Sequence, residues 1–333
     1  METTPFASSN PDLAPYRGGR IAVSTPPGLQ FDAWPPHQLL LFDASWRAVL
    51  ALEGPEARKW LNGMITTNVR DLEPGQFAPG FQLDPKGHIL ASLDVVCIAP
   101  DAFLVITDEA QREGLEQRLR RFVFISKLTI EDRSAAWAGL RLRGARAATV
   151  AVEAGWCKPV PAAGHAAAGP KSGWTLASAP GGVAQLEYLA PVASAVALWA
   201  RLQQLATAAG AAAQEPDRIF SRQPLYGTDI TEAELPQETG QLDHLSFTKG
   251  CYIGQEIVER IRARGAVHRH WSAFHFAAAV GPGAGVEANG RPAGKLTSVA
   301  PLDSAACFAL GYVRDGQPGQ AVTAAGIAGK LLS

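Results

Sequence analysis

Hydrophobic residues recur along the chain with the two periods that distinguish strands from helices. Residues 38–52 contain two apolar stretches separated by a short polar break, and we expect two strands that pair as a hairpin. Residues 77–83 and 89–98 are predicted strands on either side of a turn that contains Pro and Gly. Residues 57–64 and 109–122 carry apolar side chains three and four positions apart, which is typical of amphipathic helices.

The same succession of strands and helices begins again in the middle of the chain. Strand-like segments at 140–142 and 186–190 are followed by helical patterns at 145–152 and 193–209. Two successive blocks of this kind predict two α+β halves of similar build. The C-terminal part has short apolar stretches interrupted by glycines and no helical period, which is typical of a small β-barrel.

These patterns predict an α+β fold with five consecutive regions. The N-terminal region contains many prolines and lacks an apolar period, so we expect it to be disordered. The predicted regions are the disordered lead-in at 1–36, the first α+β half at 37–135, the second half at 136–214, a return segment at 215–265 and the C-terminal barrel at 266–333.

Composition and charge exclude several classes of protein. The 333 residues are 47 % hydrophobic, which is ample material for the cores of two or three domains. Lys and Arg number 30 and Asp and Glu number 31, and the net charge of −1 argues against direct binding of nucleic acid. The chain has no apolar run of about 18 residues, so we expect no membrane span. The N-terminus lacks the apolar core of a signal peptide, and we expect a cytoplasmic protein.

The cysteines are scattered, and they are Cys97, Cys157, Cys251 and Cys307. No C-x-x-C pair occurs, which makes a zinc ribbon, a dithiol redox site and a disulfide scaffold improbable. Cys97 and Cys307 lie in apolar stretches typical of buried structural cysteines. Cys251 lies in a polar, Gly-rich stretch and is the candidate functional cysteine.

The segment 249–256 reads KGCYIGQE. Its two glycines permit a tight loop, and the apolar residues that follow predict a helix that begins near Gly254. Cys251 then lies just before a helix N-terminus and two residues from Lys249, and both features favour the thiolate. We therefore interpret Cys251 as a functional thiol and Lys249 as the residue that promotes its ionisation.

This segment resembles the K-G-C-Y-x-G-Q-E signature of YgfZ-type folate-binding proteins, relatives of the glycine cleavage T-protein that are linked to the maturation of iron–sulfur enzymes. Other similar segments follow in the family's order, so the resemblance covers the chain from about residue 37 to its end. They are GPEA at 54–57, WLNG at 60–63, DPKGHIL at 84–90, PLYGTDI at 224–230, PQE at 236–238, GKLTS at 294–298 and ALGYV at 309–313.

The resemblance implies two ferredoxin-like halves and a C-terminal β-barrel, arranged as a ring around a central channel that binds tetrahydrofolate. Arg218 corresponds to an arginine of the T-protein that meets the carboxylate of the folate's glutamate tail, a pairing that suits a guanidinium. The residues expected to contact the folate are Arg218, Gly250, Tyr252, Gly254, Gln255 and Glu256. The expected partners are iron–sulfur assembly or client proteins, with an indirect link to tRNA modification, and we expect a monomer.

The T-protein transfers an aminomethyl-derived carbon to tetrahydrofolate and needs acidic groups beside the pterin. At the corresponding positions this chain has Ala91 and Ser92, and a second acidic pair corresponds to Val183 and Ala184. Of that second segment only the final acid persists, as Glu187. Methyl, hydroxymethyl and isopropyl groups cannot act as carboxylate bases. We therefore expect no aminomethyltransferase activity.

Three hypotheses remain for the function. The first is a folate-binding maturation factor with Cys251 as its thiol, and because one cysteine cannot build a four-thiolate site, a cluster would need a partner protein. The second is a folate-dependent one-carbon transferase with an unusual base. The third is a folate-free interaction scaffold that uses its surface and a basic stripe, predicted on extended chain, at Arg260, Arg262 and Arg264.

Overall fold

A computed structural model describes the chain at residues 4–6, 12–23, 38–168, 173–265, 267–302, 306–314 and 316–332. Its strands are β1 (Leu13–Tyr16), β2 (Gly19–Ala22), β3 (Leu40–Asp43), β4 (Arg47–Glu53), β5 (Phe77–Leu83), β6 (Ile89–Ala99), β7 (Ala102–Asp108), β8 (Thr129–Asp132), β9 (Trp137–Arg143), β10 (Ala166–Ala168), β11 (Trp174–Ser178), β12 (Gln185–Pro191), β13 (Thr207–Ala209), β14 (His270–Phe276), β15 (Gly285–Ala288), β16 (Arg291–Pro301), β17 (Cys307–Val313), β18 (Ala321–Ala324) and β19 (Ile327–Leu331). Its helices are α1 (Ala57–Met64), α2 (Glu109–Arg120), α3 (Ala147–Glu153), α4 (Val192–Leu202), α5 (Ala211–Phe220) and α6 (Gln255–Arg264). The predicted α+β class is confirmed.

The first sheet has the strand order β5-β6-β7-β4-β8, and its neighbouring strands are antiparallel. Helices α1 and α2 cover one face, where Leu61 and Leu115 pack against Ala91 and Val95 of β6 in a shared core. Because successive side chains of a strand alternate between faces, the residues between Ala91 and Val95 include Ser92 and Asp94 on the opposite face. That face lines the cavity described below.

The second sheet has the strand order β10-β11-β12-β9-β3-β13, with β13 parallel to β3. Helices α3 and α4 pack on it through a core that contains Val150, Trp156 and Leu198. The open faces of the two sheets meet, and Ile106 and Leu189 belong to the apolar cluster between them. These two sheets and their helices thus form two layers that face each other.

The predicted hairpin at residues 38–52 is wrong, because its two strands lie in different sheets. Strand β3 pairs with β9 and β13, whereas β4 pairs with β7 and β8. Both strands are almost fully buried. The apolar pattern identifies each strand but does not specify its partner, since a strand buried on both faces reads the same in either sheet.

The predicted C-terminal barrel is confirmed as a closed six-stranded barrel with the order β14-β17-β16-β15-β18-β19. Glycines allow its strands to approach closely. A Cβ atom at Gly294 would lie 1.9 Å from the carbonyl oxygen of Tyr312 on the neighbouring strand. Phe274 and Phe276 of β14 fill the barrel interior together with Leu296.

The prediction of disorder at the N-terminus is wrong for residues 12–23, because β1 and β2 pair as a hairpin. Ile21 is fully buried and packs with Ala44 and Trp46. One buried residue gives no detectable period, so the pattern could not reveal this contact. The rest of that predicted region, apart from residues 4–6, lies outside the described residues, and the boundaries between the predicted regions stay predictions.

No helix in the described ranges is long and apolar enough to cross a membrane.

Replacing Gly294 by Ala tests the close approach of strands in the barrel. The added methyl group must displace the backbone of Tyr312, and overpacking of this kind costs about 1–3 kcal/mol of the free energy of unfolding. Urea denaturation of Gly294→Ala measures the loss. The matched control is Gly285→Ala in the same barrel, where a Cβ meets no atom within 4 Å and the expected change is under about 0.5 kcal/mol. Equal stability of the two variants would contradict the strand spacing.

Candidate functional site

A cavity of about 580 Å³ lies where the open faces of the two sheets meet the return segment. Strand β6 contributes Ser92 and Asp94, β9 contributes Arg141, and β12 contributes Gln185 and Glu187. The return segment adds its own lining residues, among which are Pro224, Tyr226, Gln241, Asp243 and His244. The cavity is therefore built from both sheets and closed by a later part of the chain.

A network of ion pairs lies along the cavity, and Arg47 is its centre. The Nε atom of Arg47 donates to Glu187 at 3.0 Å, and its guanidinium also pairs with Asp94 and, at 3.4 Å, with Asp108. Arg141 donates to the second oxygen of Glu187 from Nε at 3.0 Å and from Nη2 at 2.6 Å. The network joins β4, β6 and β7 of the first sheet to β9 and β12 of the second.

The electrostatics of this network fix the charge of Glu187. Burial alone would raise the pKa of this carboxyl, but Arg47 and Arg141 outweigh burial and lower the pKa to about 2. Glu187 is therefore ionised at neutral pH and holds the two arginines rather than exchanging a proton.

Several buried polar atoms of the cavity lining lack a hydrogen-bond partner. The Oε1 atoms of Gln185 and Gln241 accept no hydrogen bond, and the Nε–H of Arg17 has no acceptor. Gln185 is only 7 % exposed, and its side-chain nitrogen donates to Ser178. A buried donor or acceptor without a partner is energetically unfavourable unless a ligand or a water molecule forms a hydrogen bond with it. The lining thus offers both kinds of hydrogen-bonding group to a bound molecule.

The sequence singled out Glu187 but not two further carboxylates of the cavity lining, Asp94 and Asp108. Of the two residues that replace the T-protein acids, Ala91 faces the helix-covered core and Ser92 lines the cavity. Asp94 follows Ser92 by two positions and therefore lies on the same face of β6. The period of two along a predicted strand could have found Asp94. Asp108 and Arg17 come from elements whose spatial relation to β6 no local pattern reveals.

Cys251 is exposed, whereas Cys97, Cys157 and Cys307 are buried. Helix α6 begins at Gln255, close to the predicted start, so Cys251 lies in the loop that precedes it. The exposure separates Cys251 from the other three cysteines, and the predicted burial of Cys97 and Cys307 is confirmed. Its role as a functional thiol stays a prediction.

Lys249 is buried and binds the backbone rather than the cysteine. Its Nζ donates to the carbonyl oxygens of Ile65 at 2.6 Å and Thr67 at 2.7 Å, and it lies 4.9 Å from the centre of the Tyr252 ring. Burial lowers the pKa of this amine to about 7. These contacts fasten the loop that contains Cys251 (residues 249–254, the cysteine loop) to the segment after α1. The interpretation of Lys249 as a residue that promotes ionisation of the thiol did not include this structural role.

The remaining residues of the motif shape the loop and the start of α6. Gly254 occupies the left-handed region as the N-cap, and the Gln255 side chain accepts from the backbone N–H of Tyr252. Tyr252 is buried, whereas Gly250 and Glu256 are exposed, with Glu256 paired to Arg260. None of these described residues lines the cavity. Their predicted contact with folate stays a prediction.

Arg218 lies on α5 and is buried in a cluster of its own. Its guanidinium pairs with Glu215 and Asp229 and donates to the hydroxyl of Ser298 at 2.8 Å. Burial lowers its pKa, but these carboxylates more than compensate and raise it. The structure places Arg218 as a link between α5, the return segment and the barrel, away from the cavity lining. Its predicted contact with folate stays a prediction.

The predicted basic stripe on extended chain is wrong, because α6 continues to Arg264. Arg260 pairs with Glu256, and the guanidinium carbon of Arg262 lies 4.6 Å from the centre of the Phe247 ring. Over the described ranges, no group of three or more His, Cys, Asp or Glu residues is arranged to hold a metal ion.

Comparisons with known proteins show what this chain is similar to in sequence and in fold. Residues 36–155 match the family model of the GCVT N-terminal domain. The aminomethyltransferase of Xanthomonas axonopodis pv. citri is 26 % identical over 240 residues, which are 68 % of this chain and 64 % of that protein. The aminomethyltransferase of Rubrobacter xylanophilus is 28 % identical over 242 residues, 68 % of this chain and 62 % of that protein. The match thus spans under two thirds of the length of these relatives.

The solved structure of the glycine cleavage system aminomethyltransferase T from Bartonella henselae has the same fold. It superposes with a TM-score of 0.87 at 21 % sequence identity, over 97 % of this chain and 93 % of that chain. The comparisons thus show sequence similarity to aminomethyltransferases and the same fold as one of them. The narrower YgfZ-type assignment stays a prediction.

Replacing Glu187 by Gln tests the ion network. Removal of the carboxylate leaves Arg47 and Arg141 without their shared partner, and breaking a buried pair costs about 3 kcal/mol of the free energy of unfolding. Because the folded-state pKa of about 2 lies below the ordinary 4.5, the contribution is complete above pH 4.5 and lost as the pH falls through 2.

Chemical denaturation at several pH values measures how the stability contributed by Glu187 depends on pH. The stability difference between wild type and Glu187→Gln should be full at pH 7 and shrink below pH 4.5. Glu113→Gln, a change at an exposed carboxylate of α2, should alter stability by under about 0.5 kcal/mol. A Glu187→Gln difference that is independent of pH would contradict the network.

Proposed function

We propose that this protein binds a reduced folate in the cavity between its two sheets. The observation that carries the proposal is the set of unpaired buried atoms in the lining, the Oε1 atoms of Gln185 and Gln241 and the Nε–H of Arg17. A reduced pterin presents ring N–H groups and a carbonyl, and these complement such acceptors and donors. The T-protein fold and the sequence resemblance support this choice of ligand.

We further propose that Cys251 acts on iron–sulfur enzymes, in their assembly or repair. The exposure of this thiol supports the proposal, because a group that serves a second protein must be reachable from solvent. Cys251 supplies one thiolate, and the remaining ligands of any cluster come from the partner protein. Effects on tRNA modification are then indirect, through cluster-containing enzymes, which is consistent with the net charge of −1.

A short path of contacts joins the cavity to the cysteine loop. The hydroxyl of Thr66 donates to the carbonyl oxygen of His244 at 2.6 Å. The His244 ring is stacked on the Phe81 ring, with their centres 4.8 Å apart. His244 lines the cavity. Thr67, the neighbour of Thr66, accepts from Lys249 of the cysteine loop. These contacts support a function in which a bound folate stabilises the loop that presents Cys251.

A folate-dependent one-carbon transferase is the second candidate, and Asp94 is the observation that favours it. This carboxylate lines the cavity, and its side chain keeps 26 % of its surface exposed. A reduced folate supplies the nitrogens that carry the one-carbon unit. Asp94 can orient such a nitrogen by accepting its proton in a hydrogen bond. Turnover of tetrahydrofolate with an aminomethyl donor, abolished in Asp94→Ala because the acceptor is removed, would establish this candidate over a binding function alone.

Calorimetry with 5-formyltetrahydrofolate tests the folate site. The wild-type chain should show saturable binding at micromolar concentrations, and Gln185→Ala should weaken it about tenfold because one buried hydrogen bond is lost. Gln203→Ala, at an exposed glutamine that follows α4, is the matched control and should bind like the wild type. Absence of binding to the wild-type chain would favour the folate-free scaffold.

Replacing Cys251 by Ser tests the thiol. In cells that lack the wild-type protein, Cys251→Ser should fail to restore the activity of iron–sulfur enzymes, although its unfolding temperature and folate affinity stay unchanged because the side chain is exposed. Cys157→Ser, at a buried cysteine in the core beside the second sheet, is the control and should restore that activity. Full restoration by Cys251→Ser would remove the thiol from the proposed function.

A further inference from the structure

The N-terminal hairpin places an arginine in the central cavity. Strands β1 and β2 are joined by a two-residue turn, in which Arg17 has φ +51° and Gly18 has φ +91°. Turns with two positive φ angles favour Asn, Asp and Gly. Gly18 follows this rule, but an arginine in the left-handed region is not explained by the conformation of the turn.

The turn is held against the start of α2. The carbonyl oxygen of Arg17 accepts from the backbone N–H of Ala110 at 3.0 Å, one of the N–H groups that the first helical turn leaves without a helical partner. A Cβ atom at Gly18 would lie 2.3 Å from the same nitrogen. The close approach and the hydrogen bond together determine where the Arg17 side chain enters the cavity.

The guanidinium of Arg17 is packed but incompletely bonded. It lies over the Trp46 ring, 4.2 Å from its centre, and Nη1 pairs with Asp108 at a long 3.4 Å. The side chain is only 10 % exposed, and its Nε–H has no acceptor. The contact with Trp46 and the ion pair with Asp108 restrict where the guanidinium lies, and Arg17 is among the residues that line the cavity.

We propose that Arg17 is a ligand-binding residue of the cavity, whose Nε–H donates a hydrogen bond to a carbonyl or carboxylate oxygen of the bound molecule. This inference rests on the proposed function and names a part of the site that lies outside both sheets. The N-terminal hairpin is then a wall of the binding site. A bound ligand connects the hairpin to the ion network through Asp108, which pairs with both Arg17 and Arg47.

Two substitutions at Arg17 test the proposal by calorimetry with 5-formyltetrahydrofolate. Arg17→Met removes every donor, and Arg17→Lys keeps the positive charge beside Asp108 but lacks a donor at the Nε position. Because a hydrogen bond from a charged donor is lost, both should weaken binding about 10- to 100-fold. Arg20→Met is the matched control, since Arg20 is exposed on the same hairpin, and it should bind like the wild type.

The Lys variant separates ligand contact from folding. If Arg17→Met unfolds by circular dichroism, Arg17→Lys still retains the charge that pairs with Asp108, and its affinity decides the question. Binding of 6-methyltetrahydropterin, which lacks the glutamate tail, locates the acceptor. A loss of affinity with both ligands assigns the acceptor to the pterin carbonyl, and a loss with the folate alone assigns it to the benzoylglutamate part; either supports the proposal.

Folded Arg17 variants that bind the folate as tightly as Arg20→Met would overturn this inference and leave the proposed function intact. A wild-type chain that binds neither ligand would overturn the proposed function, and the inference with it.

Discussion

The ion network around Arg47 is the interaction on which the rest of the structure depends. Arg47 begins a strand of the first sheet, and it pairs with Asp94 and Asp108 of that sheet and with Glu187 of the second. Apolar packing between the sheets is non-directional, so it cannot alone hold them apart at a fixed opening. Paired charges with defined hydrogen bonds are directional and can hold the two sheets at a fixed separation. The cavity lies beside these ion pairs.

The same network determines the chemistry that is available. Each carboxylate that Arg47 holds is paired with this arginine, and the low pKa of Glu187 removes Glu187 as a proton carrier. The unpaired amide oxygens and the Nε–H of Arg17 are suited to the recognition of a ligand, and Asp94 keeps part of its surface exposed in the cavity. Cys251 is outside the cavity, and Lys249 ties its loop to the segment that contacts His244. The cavity and the exposed thiol of Cys251 are thus separate sites that are joined by a chain of contacts.

Much of the fold could be predicted from the sequence, and the failures have physical causes. The α+β class and the barrel follow from local periods and glycine spacing, and those predictions are confirmed. The partner of β3 could not be predicted, because a fully buried strand has no polar face to indicate its sheet. The polar, Gly-rich setting singled out Cys251 among the cysteines, and the structure shows that its side chain is exposed. The resemblance implied a central channel, but the residues that line the cavity together could not be predicted, since Arg17, Asp94 and Glu187 are remote in sequence and meet only through tertiary packing.

A crystal structure of the chain with 5-formyltetrahydrofolate tests the central claim most directly. The account predicts that the pterin lies between the two sheets, with its polar edge within hydrogen-bonding distance of Gln185 and with the ion pairs of Arg47 intact. A folate bound elsewhere on the protein, or a cavity filled only by water at saturating ligand, would contradict it.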